Sequence, residues 1–380
     1  VLFRSLAVVS GDAGTWDAQA LWMRDEGKVI FRVGAGKLGN GSVHSASFVV
    51  QNNHTDQGSP DVSIKVSVSA AWDGLLGGEG EFASMEKPGG ALLGVEGGAD
   101  PLRLHVPRFR TRAIGQSDPL ASASNKVTVT LSPDCDVSAG SNITVSGLVG
   151  AQTGDGDLAI QGFDAGMFSL TASWRRDCGV IVVFVEGPGL KNGSAYALSF
   201  VLRNNYSEQA SPEVSVLASV RSSVAPFYPG VGVYEDMAKP GSSQLGVAGG
   251  ADPLRLHLPR FLTRELGQSN PLASASNVLT LTIVPNCDVS PGSNVTLIGL
   301  TGSGTEDSMS LEVVSGEQGS FLSKGEWRRT EGYLRVVVGG SGLRNGSLYN
   351  LSFMLRNKND TQEPPAVSIK MTVKSSLGPD

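Results

Sequence analysis

The sequence predicts an all-β protein, in which antiparallel β-sandwiches follow one another in tandem and are joined by long ordered connectors. Two 29-residue segments, 97–125 and 249–277, differ at only five positions and start 152 residues apart. That offset is too long for a solenoid coil and suits a whole domain plus a connector. Many short segments alternate apolar and polar residues, and none keeps a helical period over three turns.

The repeat register extends over the rest of the chain. Trp22, Trp174 and Trp327 correspond, give or take one residue of offset. The register predicts sandwiches over 1–70, 117–222 and 269–376 and connectors over 71–116 and 223–268. An offset of 152 from residue 117 would start the first copy about 35 residues before Val1, so we expect an N-terminally incomplete first sandwich. Either further upstream sequence or a neighbouring protomer would complete it.

Alternation identifies the individual strands. Residues 196–203 and 349–356 each place Tyr, Leu, Phe and Leu on one face, and residues 212–220 alternate valine or alanine with mostly polar neighbours. Such segments are typical of half-buried antiparallel strands. The apolar run 180–185 lacks alternation, which predicts a strand buried on both faces.

A turn motif narrows the class of sandwich. Residues 190–196 and 343–349 each run from a leucine through Asn-Gly-Ser to a tyrosine, whereas the first copy has His44 at the tyrosine position. This motif resembles the tyrosine corner of immunoglobulin-like and fibronectin type III sandwiches, in which the tyrosine bonds back to nearby backbone. The resemblance implies immunoglobulin-like (Ig-like) sandwiches. An inter-sheet cysteine is not expected two residues after the tyrosine, where Leu198 and Leu351 stand.

The connectors are copied so faithfully that we expect the two copies to meet equivalent surroundings. Residues 102–106 and 254–258 alternate like short strands. We predict that this part packs on a neighbouring sandwich and fixes the geometry between repeats; a flexible Gly/Pro spacer is the alternative and fits residues 74–90 better. The predicted packing residues are Leu102, Leu104, Pro107, Phe109, Leu254, Leu256, Pro259 and Phe261.

Asn-X-Ser/Thr sequons, the acceptor pattern for N-linked glycans, are the clearest chemical signal. The chain holds nine where composition alone would give about three, and most recur at the same place in the repeat. Since Asn-Gly-Ser is also a good turn, turn formation alone would explain part of the set. The predicted glycosylation sites are Asn40, Asn53, Asn142, Asn192, Asn205, Asn294, Asn345, Asn350 and Asn359.

The three cysteines predict at most one disulfide within the chain. Cys135 and Cys178 lie in the same copy and would stabilise it if their strands were adjacent. Cys287 repeats Cys135 without a counterpart of Cys178. It is therefore a free buried thiol, an intermolecular partner, or the partner of a cysteine outside this sequence.

Other functional classes find little support in the sequence. A net charge of −6 gives no reason to expect nucleic acid, and the longest apolar run is far too short for a membrane span. No Cys/His spacing suggests zinc, and we expect no metal, no cofactor and no enzymatic activity. A glycan-active enzyme would need convergent carboxylates, which are not evident. A binding module would use loop aromatics, for which the candidates are Trp72, Phe82, Phe227 and Tyr228.

The combination of motifs resembles a known class of repeat. A TVTL-type strand, the GSNITVSGLVG segment, a lone tryptophan, and SFVLRNN followed by QASPEVSV are similar to repeats of large extracellular glycoproteins of algae and other protists. That resemblance implies cell coats or filamentous appendages such as flagellar hairs (mastigonemes). We therefore expect a structural subunit of an extracellular glycosylated fibre or coat that self-associates and carries N-linked glycans, with strand donation between protomers as one mode of assembly. The alternative is a cell-surface adhesin or carbohydrate-binding module.

Overall fold

The fold is all-β, as predicted from alternation and the absence of a helical period. The computed structural model describes residues 3–11, 14–35, 38–68, 77–222 and 229–375. In this part of the chain the only helices are two single 3-10 turns, Arg24–Glu26 and Ala165–Met167. The chain divides into two compact units, one of Val1–Lys87 with Asp100–His105 and the other of Pro88–Ala99 with Val106–Asp380.

The first unit contains the first repeat. Its main sheet has the order β3-β2-β1-β4, and β5 pairs with β6 separately. All of these pairings are antiparallel. The strands are β1 Phe3–Gly11, β2 Gln19–Met23, β3 Lys28–Ile30, β4 Ala46–Phe48, β5 Ser63–Ile64 and β6 Ala83–Ser84.

The second unit begins with a complete sandwich, called here the second sandwich. One sheet has the order β13-β8-β7, and the other β10-β11-β12-β9-β14-β15, with β16 also on β14. The strands are β7 Phe109–Gln116, β8 Ser124–Pro133, β9 Asn142–Ser146, β10 Gly156–Ala159, β11 Thr171–Arg175, β12 Val180–Phe184, β13 Tyr196–Arg203, β14 Ser215–Val220, β15 Gly230–Val231 and β16 Glu235–Asp236.

The third sandwich follows in the same unit and is one continuous sheet of eight strands, in the order β17-β18-β23-β20-β21-β22-β19-β24. The sheet folds over a single core, so β17 and β24 are its two edges. The strands are β17 Phe261–Gln268, β18 Ser276–Pro285, β19 Asn294–Ile298, β20 Ser308–Ser315, β21 Phe321–Arg328, β22 Tyr333–Val338, β23 Tyr349–Arg356 and β24 Ser368–Thr372.

The repeated tryptophans lie at the centres of the two complete cores. Trp174 and Trp327 are both fully buried. Each indole is nevertheless satisfied, because Nε1 donates to the carbonyl of Thr153 at 3.1 Å or of Thr305 at 3.2 Å. A buried Trp that keeps its N–H bonded contributes a large apolar area without an unpaired donor.

The tyrosine corner is present in both complete sandwiches, and the first repeat makes the same bond with a different residue. The N–H of Lys191 donates to the Tyr196 hydroxyl at 2.9 Å, and the N–H of Arg344 to the Tyr349 hydroxyl at 2.7 Å. In the first repeat the N–H of Gly39 donates to Nε2 of His44 at 3.2 Å. An imidazole nitrogen can accept this bond as a phenol can, which explains how His44 replaces the tyrosine.

Two expectations about strands need correction. The run 180–185 is not buried on both faces, because Ile181 and Val183 are buried whereas Phe184 is half exposed. The predicted connectors also end too late: residues 109–116 and 261–268 pair along β8 and β18 and belong to the following sandwich. Hydrogen bonds to the neighbouring strand hold these edge strands, so their sequence carries little apolar alternation.

The predicted disulfide between Cys135 and Cys178 is not formed. All three cysteines are free thiols, and the two predicted partners follow β8 and β11, which belong to different sheets. Cys135 is buried and Cys178 is exposed. Burial raises the pKa of Cys135 and of Cys287 to about 12, with neighbouring aspartates acting in the same direction. Among the three alternatives for Cys287, its burial favours the free thiol.

Candidate functional site

The second connector binds to the body of the second sandwich through a nine-residue loop, residues 249–257, whose sequence is identical to residues 97–105. We call these two segments the connector loops. Gln116, the last residue of β7, receives the loop: its Nε2 donates to the carbonyls of Gly250 at 2.8 Å and Arg255 at 2.9 Å. Its Oε1 accepts the N–H of Leu254 at 2.8 Å. One buried side chain therefore fixes both ends of the loop.

Gln116 is itself oriented by two buried asparagines. Nδ2 of Asn125 donates to Gln116 Oε1 at 2.7 Å and to Asn204 Oδ1 at 2.9 Å. Nδ2 of Asn204 in turn donates to the carbonyls of Asp118 and Leu120. Because every amide group of Gln116, Asn125 and Asn204 has a partner, this network orients Gln116 without leaving a costly unpaired group.

A second clamp holds the other side of the loop and recurs in the first repeat. Gln209 exchanges backbone hydrogen bonds with Leu256, and the Ser211 hydroxyl donates to the carbonyl of Pro253 at 2.8 Å. In the first unit Gln57 exchanges the same backbone bonds with Leu104, and Ser59 donates to Pro101 at 2.8 Å. On this side, the connector loop is therefore bound by the same chemistry in both repeats.

Upstream of the loop, the second connector adds an extended segment, residues 235–238, between the edges of the two sheets. We call it the insert strand. It pairs antiparallel with β14, and Ala238 forms a parallel bridge to Ala113 of β7. Met237 is 5% exposed and belongs to the same core as the sandwich. The segment thus closes a gap that the sandwich's own strands leave open.

A carboxylate fixes the start of the insert strand. Oε2 of Glu235 accepts the N–H of Phe109 at 2.8 Å, and Oε1 lies 3.7 Å from Nη1 of Arg112. Nε of Arg112 also donates to the carbonyl of Asp236 at 2.9 Å. The position of the strand is therefore set by charge as well as by apolar packing.

The same connector also binds the third sandwich, at the tyrosine-corner turn. Nδ2 of Asn345 donates to the carbonyl of Gly246 at 2.7 Å, and the N–H of Asp288 donates to Leu245. The first connector makes the equivalent bonds to the second sandwich, from Asn192 Nδ2 to Gly94 at 2.6 Å and from the Asp136 N–H to Leu93. Each connector thus reaches the corner of the sandwich that follows it.

The predicted packing residues occupy unequal environments. Leu254, Leu256 and Phe261 are buried in the second unit, and Pro259 is half-buried. In the first connector Leu104, Pro107 and Phe109 are buried, whereas Leu102 is 39% exposed. Alternation had indicated which side chains face inward. Alternation did not indicate the glutamines and asparagines that hold the loop. Their recurrence at the 152-residue offset is the one sequence signal that could have identified them.

Asp118 is a fully buried carboxyl at the junction of the second and third sandwiches. Its Oδ1 accepts the N–H of Leu120 at 2.9 Å, and the Ser375 hydroxyl is 3.4 Å from Oδ2. Burial raises the pKa of Asp118 to about 6, although both of these hydrogen bonds act to lower it. The residue therefore changes charge in a mildly acidic range.

The side chains of the predicted glycosylation sites differ in exposure. Those of Asn142, Asn192, Asn205 and Asn294 are half-buried, and the other five, Asn40, Asn53, Asn345, Asn350 and Asn359, are exposed. At Asn192 and Asn345 the nitrogen that would carry the glycan donates to a connector carbonyl. Glycosylation at all nine positions remains a prediction.

Two further expectations concern binding and membranes. Of the loop aromatics, Phe82 is 66% exposed, and Trp72, Phe227 and Tyr228 lie outside the described residues, as do residues 74–76 of the suggested spacer. Among the helices of the described ranges, none has the length and apolar character that crossing a membrane requires.

Comparisons with known proteins leave the family open. No protein-family model matches the chain, and no curated protein matches it. Solved structures that it resembles include a serine-rich repeat protein of Streptococcus agalactiae (9% identity, TM-score 0.20, covering 71% of this chain and 90% of that one) and the N-terminal region of an enterococcal surface protein (9%, 0.24, 72% and 92%). The collagen adhesin of S. aureus is similar at 11% identity, TM-score 0.20, with 71% and 88% covered. At these scores the likenesses carry no argument about function.

Proposed function

We propose that the chain is a structural subunit of an extracellular glycosylated fibre, flagellar hair or cell coat, in which Ig-like repeats are coupled by docked connectors. The observation that carries the proposal is the two-sided binding of the second connector. It contributes Met237 and Leu254 to the core of the second sandwich and bonds Asn345 of the third. A connector held on both sides transmits force and orientation between domains, which is what a fibre requires.

The surface of the chain is compatible with this role. Four of the nine sequons, at Asn40, Asn53, Asn350 and Asn359, place an exposed asparagine in a loop or near a strand end, where a glycan would extend into solvent, whereas the exposed Asn345 holds the connector. We propose no enzymatic activity; the buried amide network of Gln116, Asn125 and Asn204 serves to hold the second connector. The resemblance of the repeat motifs to algal and protist coat glycoproteins supports an extracellular setting.

A binding role is the second candidate, and one surface feature of the second sandwich favours it. Phe163 is 100% exposed and Leu170 is 81% exposed. Ser169, beside Leu170, donates its N–H to the carbonyl of Phe184, which is also half exposed. Large exposed apolar side chains such as Phe163, and neighbouring ones such as Leu170 and Phe184, mark candidate interaction sites.

Electron microscopy of material isolated from its natural source distinguishes the two candidates. A structural subunit should appear in filaments or sheets, and glycosidase treatment should lower its mass. Dispersed, unassembled molecules would contradict the structural proposal. If Phe163→Ser then abolished attachment to cells or glycans while leaving folding intact, the binding role would replace it.

A further inference from the structure

The outer face of the larger sheet of the second sandwich is apolar around a sequon on its central strand, β9. Asn142 and Thr144 point outward there, since the intervening Ile143 is buried. The neighbouring strands place Val182 and Leu217 directly opposite Thr144, and both are half-buried. The solvent side of an antiparallel sheet is typically polar, so the core beneath does not explain these apolar residues.

The row of residues that crosses this face at Asn142 also contains exposed apolar side chains. Phe184 of β12 lies directly opposite Asn142 and is 48% exposed. On the other side Asn142 is opposite Ser219 of β14, which is in turn opposite Val231 of β15, 46% exposed. Directly opposed residues of antiparallel strands have Cβ atoms about 4.5–5.5 Å apart. A sugar attached to Asn142 is therefore within reach of the Phe184 ring.

The third sandwich has the equivalent sequon in different surroundings. Asn294 lies opposite Val337, where the second sandwich has its phenylalanine. Thr296 lies opposite Arg335 and Lys370, and both of these charged side chains are exposed. The sequon is thus common to the two sandwiches, whereas the aromatic and aliphatic surface around it distinguishes the second from the third.

The side-chain amide of Asn142 is placed to carry a glycan without loss of a contact. Among the residues that the structure describes, it has no hydrogen-bond partner. By contrast, Nδ2 of Asn192 and Nδ2 of Asn345 donate to connector carbonyls at 2.6 and 2.7 Å. A glycan at either of those two positions would displace a connector, whereas a glycan at Asn142 breaks no hydrogen bond.

We propose that Asn142 carries an N-linked glycan whose first sugar packs on the ring of Phe184 and covers this outer face. The face of an aromatic ring is electron-rich, and the C–H groups of a pyranose ring carry partial positive charge, so the two attract each other while they bury apolar area. The occupant of the face is part of the same molecule, and its covalent bond keeps it within reach. The inference rests on the proposed function, which places the chain in a glycosylating secretory route, and it adds the position and the contact of one glycan.

The glycan is attached by group transfer from a lipid-linked oligosaccharide diphosphate, catalysed by the transferase of that route. Nδ2 of Asn142 bonds to the anomeric carbon of the first sugar. The bond from that carbon to the diphosphate oxygen breaks, the diphosphate leaves with the electron pair, and Nδ2 loses a proton to the transferase. Thr144 supplies the hydroxyl that the sequon requires two positions after the asparagine.

The test uses the whole chain secreted from a eukaryotic cell line that attaches high-mannose glycans. Glycopeptide mass spectrometry should show that Asn142 is occupied. An endoglycosidase that cleaves between the first two sugars then acts on the native protein, and the rate of cleavage at Asn142 is measured. Packing of the first sugar on the sheet should slow this cleavage, because the enzyme has to reach a bond that lies against the protein.

Variants of exposed phenylalanines identify the ring as the contact. Phe184→Ser should make cleavage at Asn142 about tenfold faster, the factor that corresponds to about 1.4 kcal/mol of packing. Phe163→Ser, which removes a fully exposed ring from the same sandwich, is the matched control and should leave the rate unchanged. The N-acetyl protons of the first sugar should show an upfield ring-current shift in the original chain. Phe184→Leu, which keeps an apolar side chain without a ring, should abolish that shift.

A gain of contact can be tested in the third sandwich. Val337→Phe places a ring opposite Asn294, at the position that Phe184 has opposite Asn142. In the secreted variant, cleavage of a glycan at Asn294 should become slower than in the original chain, while cleavage at Asn142 should not change.

The inference is overturned if Asn142 is unoccupied, or if Phe184→Ser leaves both the cleavage rate and the N-acetyl signal unchanged. An unchanged rate together with lost attachment to cells would assign the face to an external partner instead. If Asn142 is bare while other sequons carry glycans, this inference fails and the proposed glycosylated subunit does not. Chains that carry the packed glycan but remain dispersed in micrographs would contradict the fibre and support this inference.

Discussion

Leu102 and Leu254 occupy the same position of two identical connector loops, yet the first is 39% exposed and the second is fully buried. Both have a left-handed backbone, with φ of 54° and 50°. A left-handed conformation costs a branched residue about 1–2 kcal/mol. The connector loop therefore keeps its backbone shape whether or not its leucine is covered, and the gain from burial depends on the sandwich that receives it.

Truncation of the two leucines should have unequal effects. Leu254→Ala should cost about 2–5 kcal/mol of local stability, because it opens a cavity in the core of the second sandwich. Hydrogen exchange measures this at the amides of Ile114 and Gln116, which donate to Ala238 and Ala251 of the connector. The matched Leu102→Ala should cost less than about 1 kcal/mol. Equal effects of the two changes would contradict the docking arrangement.

Asp118 should make the stability of the second unit depend on pH. Its folded pKa of about 6 lies above the ordinary 3.8, so the folded state binds the proton more tightly than the unfolded state does. The stability of the unit is therefore highest below pH 3.8, where Asp118 is protonated in both states, and it falls as the pH rises through 6. One pKa unit corresponds to 1.36 kcal/mol, so the ionised carboxylate costs about 3 kcal/mol at pH 7.

Asp118→Asn should remove this dependence, because an amide has no charge to desolvate. The third sandwich already has Asn270 at the equivalent position, where its Oδ1 accepts the N–H of Leu272 at 3.0 Å. Urea denaturation at pH 4.5 and pH 7 should show a smaller difference for the variant than for the original chain. A reverse change, Asn270→Asp, should have a weaker effect since that side chain is only half-buried. An unchanged pH profile in Asp118→Asn would rule out this account.

The cysteines should separate by reactivity. Only the exposed Cys178 should react with iodoacetamide at pH 8 in the folded protein, because the thiolate is the nucleophile and burial raises the pKa of Cys135 and Cys287 to about 12. All three should react after denaturation. Mass spectrometry counts the added groups, and Cys178→Ser is the control that should bring the native count to zero. Failure of Cys178 to react unless a reductant is added would restore the disulfide hypothesis.

Alternating side chains predicted strands correctly, whereas β7 and β17, which are held mainly by backbone hydrogen bonds, were assigned to the connectors. The strands Tyr196–Arg203 and Tyr349–Arg356 coincide with the segments read from alternation. Strand β1 pairs with β2 so that Arg4 lies opposite Trp22, just as Gly156 lies opposite Trp174. The residues up to Ser5 differ from their counterparts, and only the following Leu6, Ala7 and Val8 are similar to Leu158, Ala159 and Ile160.

The candidate site was predictable only in part, for a related reason. The leucines of the connector loop stand out as an apolar pattern. Gln116 and Asn204 look like ordinary polar residues, and their role depends on burial that only the folded chain creates. The predicted disulfide failed on the same ground, since membership of a common repeat did not bring the buried Cys135 next to the exposed Cys178.

The contact between the second connector and the third sandwich can be tested with a matched pair of glycines. Gly246 and Gly241 have similar left-handed φ angles of 71° and 66°. An added Cβ at Gly246 would lie 2.7 Å from Cβ of Asn345 and 2.9 Å from Oδ1 of Asp288, whereas one at Gly241 would meet nothing within 4 Å. Gly241→Ala should therefore cost only the free energy of placing alanine in a left-handed conformation, about 1–2 kcal/mol.

Gly246→Ala should have the same backbone cost and should also displace the connector from the corner turn, because Cβ of Asn345 and the carboxylate of Asp288 leave the new methyl no room. Hydrogen exchange at the Asp288 amide, which donates to the carbonyl of Leu245, should accelerate in Gly246→Ala and stay unchanged in Gly241→Ala. Acceleration in both variants would mean that the strain of the left-handed backbone alone causes the faster exchange. No acceleration in either would mean that the connector is not held at this corner in solution.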